Sequence, residues 1–149
     1  MKIAFACDHG GFPAKQEVLN YLTANGYSVI DFGTYSEESV DYPEFAEKVC
    51  NSVLNGESDK GVLICGTGIG MSIVANKIKG IRCAHVTDIF SAEMTRRHND
   101  TNVIALGARI TETKTIIELI DKFLTTEFDG GRHANRVEKI KQIEEKFGK

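Results

Sequence analysis

Apolar residues are distributed along this chain in two alternating ways. Some form short unbroken runs, such as Ile3-Ala4-Phe5-Ala6-Cys7 and Val62-Leu63-Ile64-Cys65, and others recur every three or four positions over longer stretches. An unbroken run suits a strand covered on both faces, whereas the longer period suits a helix with one buried stripe. Their alternation predicts an α/β fold built on a five-stranded parallel sheet, in the order βαβαβαβαβα followed by a terminal helix.

Turn residues set the expected boundaries. After the strand Ile3–Cys7, Gly10-Gly11 leads into a helix from Phe12 to Ala24, with Pro13 in the first turn where its missing N–H costs nothing, and Asn25-Gly26 ends it. Tyr27–Phe32 reads as the second strand, a polar loop runs to Asp41, and Pro43 opens a helix ending near Leu54. Val62–Cys65 is the third strand, followed by Gly66-Thr67-Gly68-Ile69-Gly70 and a helix over Ser72–Ile78. Arg82–Val86 and Val103–Leu106 are expected as the fourth and fifth strands, with a helix over Ile89–His98 between them. Thr113–Leu124 places Ile116, Ile117, Ile120, Phe123 and Leu124 on one face, whereas Asn135–Phe147 carries only a narrow stripe of Val137, Ile140, Ile143 and Phe147.

Composition narrows the class. A length of 149 residues with 42% hydrophobic and 26% charged side chains predicts one globular domain over 1–149. Its apolar runs are too short to span a bilayer, and Asp8 interrupts the first before a signal-peptide core forms, so neither export nor membrane association is expected. The net charge of −3 gives no general affinity for nucleic acid, although Arg132–Lys149 carries six Lys or Arg against three Glu. Cys7, Cys50, Cys65 and Cys83 are widely spaced, without CxxC or zinc-type spacing. Neither a disulfide scaffold nor a metal knot is indicated, and a reducing, cytoplasmic setting is expected.

In an open parallel sheet, ligands bind where the carboxyl ends of the strands meet loops and helix N-termini. Three such loops are chemically marked: Asp8-His9-Gly10-Gly11, Asp41-Tyr42-Pro43 and Cys65-Gly66-Thr67-Gly68-Ile69-Gly70. Alternate glycines let successive backbone N–H groups face one concavity, which suits an anion, although the same turn could simply pack strand against helix. It is not a P-loop, since no Lys-Ser/Thr follows, and Met71 stands where GxGxxG needs its third glycine. Cys65 lies at the mouth of this loop, beside a helix N-terminus that favours a thiolate, with the Thr67 hydroxyl in reach of its sulfur. His98-Asn99-Asp100-Thr101-Asn102 reads either as a functional polar cluster or as a helix C-cap and turn. Arg132 and Arg136 share a helix face and could grip a phosphate, or form a solvated charged face. Together these groups suggest metal-free chemistry on a small phosphorylated molecule. A non-catalytic phosphate or nucleotide sensor would keep the glycine loop but has no need of Cys65 together with His98.

The blocks Ile3-Ala4-Phe5-Ala6-Cys7-Asp8-His9-Gly10-Gly11, Val29-Ile30-Asp31-Phe32-Gly33-Thr34, Asp41-Tyr42-Pro43, Ile64-Cys65-Gly66-Thr67-Gly68-Ile69-Gly70, Ala75-Asn76-Lys77, Gly80-Ile81-Arg82, His98-Asn99-Asp100-Thr101-Asn102 and Gly130-Gly131-Arg132-His133 with Arg136 occur in this order. Over essentially the whole chain they resemble the type B ribose-5-phosphate isomerases. That resemblance implies a Rossmann-like three-layer domain working as a homodimer or dimer of dimers, with the C-terminal helix reaching a partner subunit. It implies interconversion of D-ribose 5-phosphate and D-ribulose 5-phosphate without a metal or cofactor. Cys65 would move the proton between C2 and C1, and His98 would assist ring opening. Asp8 and Tyr42 would hold the sugar hydroxyls and ring oxygen, and His9, Arg132 and Arg136 the phosphate. Asn99 and the amides of Gly66, Thr67, Gly68, Ile69 and Gly70 would receive enediolate charge. One branch of the family has Gly for the catalytic Cys and Glu at the position of Met71, so this chain resembles the cysteine branch. A related hexose-phosphate isomerase is the nearest rival, but galactose-6-phosphate isomerase subunits tend to lack the His-Asn-Asp cluster and the arginine-bearing tail.

Overall fold

A computed structural model describes residues 1–148. The strands are β1 (Lys2–Cys7), β2 (Ser28–Asp31), β3 (Lys60–Cys65), β4 (Cys83–His85) and β5 (Val103–Gly107). The helices are α1 (Phe12–Ala24), α2 (Tyr42–Leu54), α3 (Ile69–Ala75), α4 (Ile89–Asn99), α5 (Thr113–Thr125) and α6 (Arg132–Phe147). All strand pairs are parallel, and the sheet order is β2-β1-β3-β5-β4, an α/β fold as the apolar pattern predicts.

The last two strands sit out of sequence order for a reason visible in their residues. Val-Ile-Ala-Leu-Gly of β5 is buried throughout and takes an interior place, whereas the three-residue β4, Cys-Ala-His, is only partly covered and suits an edge. Alternation along each strand divides the core into two layers. Ile3, Phe5, Val62, Ile64, Ile104 and Leu106 pack against α1 and α5. On the other face Ala4, Ala6, Leu63, Cys65, Val103 and Ala105 meet α2 and α3, where smaller side chains let those helices approach closely.

Two helices start earlier than their sequence signals suggest. α3 begins at Ile69 rather than Ser72, because Gly68 adopts the left-handed conformation (φ 81°) and makes the whole turn itself. α6 begins at Arg132 rather than Asn135, since Gly130 and Gly131, at φ 65° and 55°, complete the preceding turn. Its N-terminal His133 stacks on His98 of α4, and near its C-terminus the Glu144 carboxylate accepts the Gly80 N–H at 3.0 Å. No helix among the described residues is long and apolar enough to cross a membrane.

Candidate active site

β1 and β3 are neighbours, but the helices that follow them cover opposite faces of the sheet, which opens a crevice between their carboxyl ends. Register sets Cys7 beside Ile64, so Asp8 and Cys65 flank that crevice. Glycines close the distance between the two loops: a Cβ on Gly11 would lie 2.2 Å from the Ile64 carbonyl oxygen, and one on Gly10 only 2.9 Å from Gly66 N. Asp8 is 6% exposed, and its Oδ1 accepts both Gly10 N–H (2.8 Å) and Gly11 N–H (3.1 Å), which fixes the carboxylate and leaves Oδ2 for a ligand.

The loop between β2 and α2 is held over this crevice by two contacts. His9 Nδ1 accepts the Val40 N–H at 3.2 Å, which also fixes its tautomer with the proton on Nε2. Buried Lys15 donates to the Thr34 carbonyl (2.6 Å) and pairs with Asp31 (2.8 Å), so its charge is compensated. Tyr42 then enters α2 with its ring against Gly70, where a Cβ would be 2.7 Å from Tyr42 Cζ.

Cys65 is 5% exposed, and its Sγ accepts the Gly68 N–H at 3.1 Å. The amide therefore takes the place expected for the Thr67 hydroxyl, which instead accepts the Ile69 N–H at 3.3 Å. With α3 only seven residues long, this direct bond is the polar contact that the loop makes to the sulfur. Two of the five loop amides are thus engaged, so an incoming oxyanion draws on Gly66, Thr67 and Gly70 at most. The other thiols are core groups. Burial pushes Cys7 up to about 11 and Cys50 up to about 12, and raises Cys83 further.

Arg109 escaped the sequence reading, which considered the loops after only three strands. The placing of β5 beside β3 brings it in: Arg109 N–H donates to the Gly66 carbonyl at 2.9 Å, and its Nη1 would be 3.3 Å from a Cβ on Gly66. An exposed guanidinium thus covers the mouth of the glycine loop.

The remaining candidates gather elsewhere. α4 runs antiparallel to the strands, so His98 and Asn99 at its end, with Arg132 and Arg136 on α6, lie at the amino edge of the sheet. Gly61 pairs with Val103 and Cys65 with Gly107, a separation of four residues or roughly 13 Å along the strands. One chain therefore does not bring His98 to Cys65. The His98 and His133 rings stack at 4.2 Å with 12° between planes. Desolvation first, then His98, Arg132 and Arg136, lowers the His133 pKa below its ordinary value. Asp129 lies near both rings, with one ligand atom of each of the three residues within 4.8 Å of the others, and pairs with Arg97 at 3.1 Å.

Comparison with known proteins gives the class. The family described as Ribose/Galactose Isomerase matches residues 3–140. Ribose-5-phosphate isomerase B of Escherichia coli (strain K12) is 48% identical over 145 residues, covering 97% of each chain. The solved structure of Clostridium thermocellum ribose-5-phosphate isomerase B superposes with a TM-score of 0.97 at 51% identity, over 99% of this chain and 100% of that one. Ribose-5-phosphate isomerase B from Mycoplasma genitalium, solved with bound ribulose-5-phosphate, gives 0.92 at 37% identity, over 97% and 96%. The chain belongs to the ribose/galactose isomerase family, the family of the type B ribose-5-phosphate isomerases.

Proposed function

We propose that this chain interconverts D-ribose 5-phosphate and D-ribulose 5-phosphate, in sites completed by a second copy of itself. The observation that carries the chemistry is the Cys65 sulfur, held by the Gly68 amide in the crevice that Asp8, Tyr42 and Arg109 surround. From the open aldose, the Cys65 thiolate takes the C2 proton. The C2–H electron pair becomes the C1=C2 bond of an enediolate, and negative charge moves to O1. The O2 proton then passes to O1, and the carbonyl re-forms at C2 as the Cys65 thiol returns its proton to C1, which regenerates the thiolate. Carbon acids of this kind need a base and donors at the developing oxyanion together, one donor being worth roughly 3–4 kcal/mol. The free loop amides and Asn99 serve that role, Thr67 braces the loop, and Asp8 and Tyr42 hold the sugar. His98 donates a proton in ring opening, while His9, Arg132 and Arg136 bind phosphate. Proton transfer within one substrate calls for no metal or cofactor, and four unpaired thiols suit a reducing cytoplasm.

Features of the two edges support the second copy. If Cys65 and His98 act on one sugar, roughly 13 Å of strand between them requires that they come from different chains. Large apolar side chains also stand exposed at the carboxyl edge: Ile69, Ile73, Ile89, Phe90 and Ile110. A surface of that kind fits a partner's face. At the other edge, Ile140, Ile143 and Phe147 of α6 line an open groove of about 820 Å³ with Ile81 and Cys83. A homodimer or dimer of dimers meets both needs.

The test is an isomerase assay on pentose 5-phosphates and hexose 6-phosphates with wild type and Cys65→Ala. Conversion of the pentose and its abolition in the variant, with substrate binding retained, are expected. Retention of more than about a tenth of kcat, a barrier change under 1.4 kcal/mol, would exclude Cys65 as the base.

A further inference from the structure

His85 closes β4 at the sheet edge with its side chain exposed, and nothing in the isomerase reading uses it. Its Nε2 lies 2.7 Å from the Thr67 carbonyl oxygen. A carbonyl oxygen only accepts, so Nε2 carries the proton and donates. The ring also packs on the next residue: a Cβ on Gly68 would lie 2.7 Å from His85 Cδ2. The Thr67 carbonyl and the Gly68 N–H are the two ends of one planar peptide group, and that N–H donates to Cys65 Sγ at 3.1 Å. A single rigid plane therefore joins the imidazole to the sulfur.

We propose that His85 is a positioning residue for Cys65: by holding the Thr67 carbonyl it orients the Thr67–Gly68 peptide so that its amide points at the sulfur and stabilises the thiolate. Two physical effects support this. The peptide lies in a loop with glycines at Gly66 and Gly68, whose backbone freedom would otherwise let the plane rotate. A donor on the carbonyl also polarises the peptide and strengthens the N–H at its other end. Around the loop that carries the sulfur, the other polar groups come from separate elements: Asp8 after β1, Tyr42 on α2 and Arg109 after β5. None depends on His85, so variants at position 85 isolate its effect.

The catalytic consequence rests on Cys65 being the base, but the effect on the sulfur does not, and alkylation reads it directly. Iodoacetamide modification of the Cys65 peptide is followed by mass spectrometry between about pH 6 and 9 in wild type, His85→Ala and His85→Gln. Cys7 and Cys50 are fully buried and serve as internal controls. The Ala variant should alkylate about fivefold more slowly at pH 7, the effect of one hydrogen bond, with its reactivity profile displaced to higher pH. His85→Gln carries an N–H donor of similar reach and should recover the wild-type rate within about twofold. In the assay, kcat should fall with the alkylation rate while KM stays. Equal rates in Ala and wild type would overturn the proposal, as would equally slow Ala and Gln variants. An active Cys65→Ala would refute the base while leaving these rates interpretable.

Discussion

The three alternate glycines of the loop after β3 look equivalent in sequence, yet each answers a different demand. Gly66 leaves room for the Arg109 side chain, Gly68 needs a φ of 81°, and Gly70 sits in the first turn of α3 with the Tyr42 ring where a Cβ would be. Only Gly68 is a conformational requirement. Gly70→Ala is therefore a clean probe: helix propensity favours Ala by roughly 1 kcal/mol, while the Cβ, 2.7 Å from Tyr42 Cζ, must push the phenol aside. An unchanged or higher unfolding temperature with kcat/KM lowered about tenfold is expected, from the loss of one positioned hydroxyl. Unaltered kcat/KM would mean that Tyr42 does not hold the sugar.

The end of α4 shows how an element can absorb most of a suggestive motif. Of His98-Asn99-Asp100-Thr101-Asn102, the last three serve the turn into β5. Asp100 takes the left-handed C-cap position (φ 45°) and bonds Arg96 at 2.8 Å and Arg82 at 3.3 Å. Asn102 joins Gly80 to Arg82 through its amide, accepting from Arg82 N–H and donating to the Gly80 carbonyl, both at 2.9 Å. Thr101 is buried and bonds Thr95 at 3.1 Å. Arg96, 4% exposed, also donates to the carbonyls of Thr101 (2.5 Å) and Thr126 (3.3 Å). Truncating it leaves two carbonyls without their donor and Asp100 with Arg82 alone, so Arg96→Ala should cost about 2–3 kcal/mol in urea unfolding. The Cys65 alkylation rate should be unchanged because that site lies at the far edge of the sheet. A loss below about 1 kcal/mol would show the network to be solvated.

For the whole molecule, the decisive question is whether a site belongs to one chain or two. Cys65→Ala and His98→Ala chains, unfolded and refolded together, form mixed dimers. In a shared arrangement each mixed dimer holds one site with both lesions and one with neither, so random pairing restores about a quarter of wild-type sites. If both residues serve the same chain's site, every site carries a lesion. Activity no greater than that of the separate variants, with mixed dimers confirmed by mass, would refute the shared site.

The sequence by itself determined the elements and marked the candidate chemistry: unbroken apolar runs make strands that must be covered on both faces, Asp8 and Cys65 stand where strands end, and Tyr42 stands at a helix start. Those are local properties, since periodicity and turn residues act within a few positions. Only the tertiary structure decided strand order and distance. Placing β5 between β3 and β4 brought Arg109 over Gly66 and left β4 at the edge, where its last residue, His85, reaches the Thr67 carbonyl; neither residue carries a motif of its own. It also separated His98 from Cys65, because a helix returning antiparallel to its strands delivers its last turn to the opposite edge of the sheet.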